Sequence, residues 1–317
     1  MKKNNQNCYN REPLYTKDEI PFFSEDDLYI KNYDDISSDH VAYLTKYGHN
    51  PFMDEQHQKN LETSTRKLIL ENTPQGGKIM DVGVGTGDLF APLDQYERYG
   101  IDISSSYLPI AKKAGIKVAM SKIEDIPYKK NFFDTVVATD VLEHVLDLTF
   151  CSHQILSCLK PGGILIVRVP YKENLSSYLK NDQPYNLIHL RNFDKESLCL
   201  HFEKIFGMET LKTETIGKIF FGDPARLKIK LLPKKALENF KGYVKRNKEF
   251  SEVLDAFNVT REFFSNWLNE LRKSKPQLYD AVQEELIEGI EINAVFKKPI
   301  KKTALDKNLE KIRIPLR

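Results

Sequence analysis

No stretch of this chain approaches the roughly 20 consecutive apolar residues needed to cross a bilayer, and Met1 to Asn7 are polar with no apolar leader core. The expectation is a cytoplasmic protein with no transmembrane segment. Cysteine is scarce: Cys8, Cys151, Cys158 and Cys199 are the 4 present, and no two form a C-x-x-C pair. Cys151 and Cys158 fall two turns apart on a predicted helix, where small buried thiols are common, so the cysteines read as reduced thiols. Neither sign of charge dominates. The 47 Lys and Arg residues against 45 Asp and Glu leave a net charge of +2, which gives no bulk argument for a nucleic-acid partner. With 317 residues, 41% of them hydrophobic, the chain can bury one large core or two smaller ones.

Glycine is concentrated where it counts. Lys78-Ile79-Met80-Asp81-Val82-Gly83-Val84-Gly85-Thr86-Gly87-Asp88 joins an apolar strand to three alternate glycines, and Leu89, Phe90 and Leu93 are placed to begin a helix. This is a strand, glycine turn and helix unit of a doubly wound sheet. Two cofactor classes are disfavoured by what the loop lacks. A Walker A loop needs a Lys-Ser or Lys-Thr pair, which is absent. A dinucleotide loop reads G-x-G-x-x-G, and here the last position is Asp88, whose carboxylate would face an anionic pyrophosphate. The pattern Asp-x-Gly-x-Gly-x-Gly resembles motif I of the class I S-adenosylmethionine-dependent methyltransferases. Their cofactor has no phosphate and carries a sulfonium and an ammonium, so acids around the glycines are tolerable.

Four further landmarks follow in order. Tyr99-Gly100-Ile101-Asp102-Ile103 is a second strand ending in an acid, placed to accept both ribose hydroxyls. Ile116 to Met120 is a third, followed by Ile123-Glu124-Asp125-Ile126-Pro127-Tyr128. That segment resembles the one whose acid meets the adenine amino group, although Asp125 also suits a solvated turn before proline. Phe132 to Asp140 is a fourth strand that leads into Val141-Leu142-Glu143-His144-Val145. Leu159-Lys160-Pro161-Gly162-Gly163 stops a helix and starts a fifth strand, Ile164 to Val169. The resemblance covers Lys78 to Pro170 and is closest to ubiquinone-type and sugar-modifying methyltransferases. It implies S-adenosylmethionine as cofactor, held by Asp81, Gly83, Gly85, Gly87, Asp102, Ile103, Glu124, Asp125, Ile126 and Asp140.

The expected architecture is α/β, a doubly wound, seven-stranded, mostly parallel sheet with an N-terminal cap and a helical insertion before the last strand. Residues 1–72 form the tail and cap, with Met1 to Ile20 disordered or loosely attached. A helical pattern runs from Asp54 to Glu71, and Tyr33, Tyr47 and His49 are candidate lid residues, although aromatics in helices are more often plain core. Residues 73–216 are the cofactor-binding core, with a helix over Asp194 to Phe206 and a sixth strand over Met208 to Thr213. Residues 217–286 are the insertion, in which Thr260 caps a helix with Phe263, Phe264, Trp267, Leu268 and Leu271 on one face. The last core strand falls in 287–299 and a basic tail in 300–317. A strand at Ile219 to Phe221 is the competing assignment, and would make the rest an appended helical domain.

Methyl transfer asks the protein mainly to align nucleophile, methyl carbon and sulfur. His144 is the candidate base, with a purely structural, loop-fixing role as its alternative. Asp140, Glu143 and His144 share i, i+3, i+4 spacing and His189 could join them; the motif resembles one that binds a divalent ion in ubiquinone-type and small-RNA methyltransferases, but Asp replaces Glu in it and no metal is expected. The expected acceptor is a small molecule methylated on oxygen or nitrogen. Two alternatives remain. Arg226 to Lys248 carries nine Lys or Arg residues, which would suit an RNA or protein acceptor, although such runs are usually solvated faces. The other is a non-catalytic cofactor-binding partner subunit.

Overall fold

A computed structural model describes residues 8–48, 50, 55–173, 175–179, 185, 187–218, 234–247, 261–286 and 289–300. His49, Thr260, Ile219 to Phe221, Met1 to Asn7 and the tail from Lys301 lie outside the described residues. The chain divides into two compact units, one running to Ile216 and resuming at Glu291, the other spanning Gly217–Ile290.

The first unit is built on a mixed sheet of nine strands. In chain order they are β1 (Tyr15–Lys17), β2 (Ile20–Phe22), β3 (Lys78–Val82), β4 (Glu97–Asp102), β5 (Lys117–Met120), β6 (Phe133–Thr139), β7 (Leu159–Pro170), β8 (Glu209–Lys218) and β9 (Gly289–Lys297). The spatial order is β1-β2-β5-β4-β3-β6-β7-β9-β8. Strands β5, β4, β3, β6 and β7 run parallel, and β9 returns antiparallel to β7 with Ile166 opposite Val295. Order reverses on either side of β3, so ligands belong at the carboxyl ends beside it.

Alternation along the strands separates two cores. Met80, Val82, Val136, Ala138, Leu165, Val167, Ala294 and Phe296 pack on one face, while Ile79, Val137, Ile164, Ile166 and Val295 pack on the other. Both faces are covered, which is why these strands read as nearly continuous apolar runs. Each such Val, Ile, Leu, Met or Phe side chain contributes about 1.5–3 kcal/mol relative to exposure. On these faces lie helices α1 (Leu28–Tyr47), α2 (Glu55–Asn72), α3 (Leu108–Lys113), α4 (Leu148–Cys158) and α5 (Lys195–Leu200). The helix read over Asp194 to Phe206 is α5 followed by a wider turn, His201–Ile205.

Three expectations are corrected. The sheet has nine strands, not seven, because an N-terminal hairpin adds β1 and β2. Residues from Cys8 onward are consequently packed: Tyr9 lies between Phe23 and Tyr128, with ring centroids 4.8 and 5.3 Å away. Polar residues disguised this segment, because Asn10 and Arg11 among the buried Cys8, Ile20, Phe22 and Phe23 bond to the connection over residues 125–128. Finally, no helix follows the glycine loop. Asp88 to Tyr96 is a run of turns, since Pro92 has no N–H to continue a helix and β4 begins at Glu97.

The second unit holds α6 (Lys234–Arg246), α7 (Arg261–Ser274) and α8 (Pro276–Leu286). Ala236, Phe240 and Val244, one turn apart along α6, meet Phe263, Phe264, Trp267, Leu268 and Leu271 of α7 and Val282 of α8. The Trp267 indole N–H donates to Asn239 Oδ1 at 3.0 Å. Among the described residues no helix is long and apolar enough to cross a membrane.

Candidate active site

The glycine loop is held by the strand beside it. Gly83 and Val84 both donate backbone N–H groups to the Ile101 carbonyl, at 2.9 and 3.0 Å. Asp102, at the end of β4, accepts from Gly85 N at 2.8 Å and from Ser104 N at 2.9 Å, so one carboxylate closes the loop onto the strand tip. Burial pushes Asp102 up to about 6, and these backbone donors only partly oppose it. Gly87 has φ +87°, and a Cβ there would stand 2.7 Å from Ile116 and 3.1 Å from Ala111 of α3. Packing therefore dictates this glycine. At Gly85, φ +52°, nothing lies within 4 Å of the Cβ position, leaving the backbone open to a ligand.

Asp81 is buried on β3 with Oδ1 unpartnered. Burial holds its carboxyl well above the ordinary range, with Asp102 and Asp140 reinforcing the shift and Arg168 opposing it. An unsatisfied buried acid beside an open glycine loop fits a cationic ligand. Ile103 packs half-buried against the core behind the loop. On the next connection, Ile123–Asp125 forms one tight turn, closed by Ile126 N to Ile123 O at 3.4 Å, while the Glu124 carbonyl accepts from Gln154 at 2.6 Å. Asp125 Oδ2 accepts from the Ser24 hydroxyl at 2.9 Å.

Asp140 leaves β6 with φ +54°. Its two carboxylate oxygens take a forked pair of bonds from Arg168 Nε and Nη2, and its N–H donates to the Arg168 carbonyl. Arg168 Nη1 reaches Thr65 of α2 at 3.1 Å. Burial, with Asp140 and Glu143 nearby, keeps the Glu291 carboxyl raised and protonated at neutral pH despite Arg168. Sequence reasoning missed Arg168 and Glu291. An arginine inside an otherwise apolar strand was the available signal.

The last part gathers around His144, on the turn after Asp140. His144 Nδ1 lies 3.1 Å from the Ile188 carbonyl and 3.1 Å from the Tyr33 hydroxyl on α1. A carbonyl only accepts, so this geometry puts the proton on Nδ1 and the lone pair on Nε2. Burial, then His189, lowers His144 to about 4, which keeps the ring neutral. Glu143 is buried with neither oxygen hydrogen-bonded, Oε1 standing 3.8 Å from His144 Nε2, and burial raises it well above the carboxylate range. His189 stands 4.6 Å from His144 by ring centroids and binds Glu173 through Nδ1. Burial raises Glu173, but hydrogen bonds from His189 and Tyr178 more than offset it. Donor atoms of Glu143, His144 and His189 lie within 4.8 Å of one another, close enough to share a divalent ion. Asp140 is not in that group, being taken by Arg168. Of the lid candidates, Tyr33 reaches His144, whereas Tyr47 is exposed and packs on Tyr43 at 4.5 Å.

Comparison with known proteins agrees with this fold. The family described as a methyltransferase domain matches residues 80–167, from β3 into β7. An uncharacterized protein of Methanocaldococcus jannaschii is 30% identical over 145 residues, covering 45% of this chain and 70% of its own. A ubiquinone biosynthesis O-methyltransferase of Bradyrhizobium diazoefficiens is 30% identical over 117 residues, 34% of this chain. The match spans 45% of that relative's length. In fold, the chain resembles a solved complex between the Haloferax volcanii Trm112 methyltransferase activator and a methyltransferase, with a TM-score of 0.50 at 16% identity, covering 87% of this chain and 100% of that one. The alternate glycines, the acid ending β4 and these matches together place the chain among the class I S-adenosylmethionine-dependent methyltransferases, with S-adenosylmethionine as its cofactor.

Proposed function

We propose that this enzyme moves a methyl group to an oxygen or nitrogen of a small molecule, with His144 as the base. The observation that carries the reading is the fixed, neutral imidazole: Nδ1 faces the Ile188 carbonyl at 3.1 Å, so Nε2 is the atom able to take a proton. A hydroxyl acceptor loses its proton as it attacks and an amine acceptor after the nitrogen is methylated, and a base held in one tautomer takes it without reorganising. Helix α1 favours a small acceptor. Its Tyr33 hydroxyl reaches His144 and the Ile188 carbonyl, and its Asn32 donates to the Leu187 carbonyl at 3.0 Å, so one helix covers the turn and the loop together.

Asp81, Gly83, Gly85, Gly87, Asp102 and Ile103 would hold the methionine and ribose parts of the cofactor, Glu124, Asp125 and Ile126 its adenine, and Asp140 would border the reacting end. The bound cofactor supplies an electrophilic methyl group on a sulfonium. Asp81 Oδ1, buried and unpartnered, would favour the positive charge, and Asp102 would accept from ribose hydroxyls. Helix α1 and residues 187–189 would keep water from the reacting atoms.

Release of S-adenosylhomocysteine across a panel of phenols, catechols, sugars and amines tests this reading. Turnover on one of them, lowered by about 10²–10⁴-fold in His144→Gln with cofactor affinity intact, supports it. The competing acceptor is RNA or protein docked on Lys234, Lys235, Lys241 and Lys245 of α6. Salt-sensitive RNA binding with turnover only on RNA would replace the small-molecule reading.

A further inference from the structure

The acids of the cofactor end are held in two different ways. Asp102 is fixed by backbone amides of its own sheet region, Gly85 and Ser104. Asp125 is fixed by a segment more than a hundred residues earlier in the chain. The Ser24 hydroxyl accepts from Lys122 N at 2.9 Å and is itself 2.9 Å from Asp125 Oδ2. Because the hydroxyl already accepts the Lys122 N–H, its single hydrogen is directed to the carboxylate. One oxygen of Asp125 is thereby anchored, and Oδ1 is left for a ligand.

The same segment grips the rest of that turn. Arg11 Nη2 donates to the Asp125 carbonyl at 2.7 Å and to the Phe23 carbonyl at 3.2 Å, joining the turn to the strap that carries Ser24. Phe23 N bonds to Met120 O at 2.9 Å, and Asn10 N to Pro127 O at 2.7 Å. Lys122 Nζ pairs with Asp27 at 2.8 Å, and Asp27 caps α1 by accepting from Ile30 N at 2.9 Å. Residues 8–27 therefore run along the whole connection from Met120 to Lys129. Ser24 is almost wholly buried there, at 2% exposure, so water cannot replace its hydroxyl once removed.

We infer that Ser24, presented by the N-terminal strap, is a positioning residue for base recognition: it orients the Asp125 carboxylate toward the exocyclic amino group of adenine. This rests on the proposed role of Asp125. Its consequence is selective: losing Ser24 should cost discrimination for the amino group and little else. A carboxylate held at one oxygen presents the other in a fixed direction, whereas a freely rotating one spends part of its time misdirected.

The test is calorimetric binding by the full chain of S-adenosylhomocysteine and of S-inosylhomocysteine, in which a carbonyl replaces the amino group. Asp125→Ala is expected to weaken the adenosyl ligand by about tenfold or more and to abolish preference over the inosyl ligand. Ser24→Ala should lower the melting temperature, since the Lys122 N–H loses its buried acceptor, but among folded molecules it should weaken the adenosyl ligand several-fold and leave the inosyl ligand unchanged. Ser24→Thr, which retains the hydroxyl, should restore the preference. If Ser24→Ala does not fold, Ser24→Cys, similar in shape and a poor donor, is read in its place. Equal weakening of both ligands would show a merely structural role and overturn the inference. So would an unchanged preference in Ser24→Ala while Asp125→Ala loses it. If Asp125→Ala itself binds both ligands normally, the assignment of Asp125 falls and takes the inference with it.

Discussion

The two ends of the candidate site are made differently. At the cofactor end the loop is built by backbone: Gly83 and Val84 bond to Ile101, and Asp102 is held by the amides of Gly85 and Ser104. Those residues lie within about twenty positions of one another. At the acceptor end His144 is held by Tyr33, 111 residues earlier, and by Ile188, 44 residues later, while His189 leans on Glu173. A backbone-built site is rigid and recurs wherever the strand and loop recur. A site assembled from side chains on separate segments can change its acceptor without disturbing the sheet.

The largest test of this contrast is His144→Gln, expected to lower turnover by about 10²–10⁴-fold while S-adenosylmethionine affinity stays constant. A parallel collapse of cofactor affinity would mean that the ends are one unit. Next is Gly87→Ala. Positive φ and the close approach of Ile116 and Ala111 should destabilise the fold by about 2–4 kcal/mol in urea titration. Stability within 0.5 kcal/mol, or about that of an ordinary surface substitution, would mean that the loop is more pliable than its packing indicates.

Asp102→Ala follows, with cofactor binding weaker by about 1–3 kcal/mol as a charged acceptor loses the ribose hydroxyls. The parent enzyme should also show a pH signature. Asp102 is raised from 3.8 to about 6 in the fold, so its effect on the stability of the empty protein is fully favourable below 3.8 and is lost as pH rises through about 6. Cofactor binding runs the opposite way, because only the carboxylate accepts two hydroxyls. Affinity measured by calorimetry should therefore fall as pH drops through about 6, and Asp102→Asn should flatten that limb. The smallest expected effect is Tyr33→Phe, a loss of about threefold to tenfold in turnover with cofactor affinity unchanged, as one neutral hydrogen bond to His144 disappears.

The signals of the proposed cofactor end are local. The alternate glycines, the acid ending β4 and the turn around Asp125 each lie within a few residues, and the structure places all of them at the carboxyl ends of the parallel strands. The proposed acceptor end has fewer local signals. His144 stood out as a histidine after a buried strand, but nothing in the sequence tied it to Tyr33 or Ile188, or tied Glu173 to His189. Periodicity also misjudged two local segments. Leu89, Phe90 and Leu93 have helical spacing, yet Pro92 and the early start of β4 leave only turns. The residues from Cys8 to Ile20 looked too polar to pack, although their backbone bonds and the buried Cys8 and Ile20 are enough to seat them.

By itself the sequence determined the parallel sheet, its glycine loop and the methyl donor, because strand burial and backbone conformation are written in residue type and short spacing. The tertiary structure alone decided which groups serve those residues. Arg168 takes Asp140 away from the Glu143, His144 and His189 group, Ile188 and Tyr33 set the tautomer of His144, and Ser24 turns Asp125. Hydrogen-bond partners distant in sequence are chosen by the packing of whole elements, and no pattern of neighbouring residues records that choice.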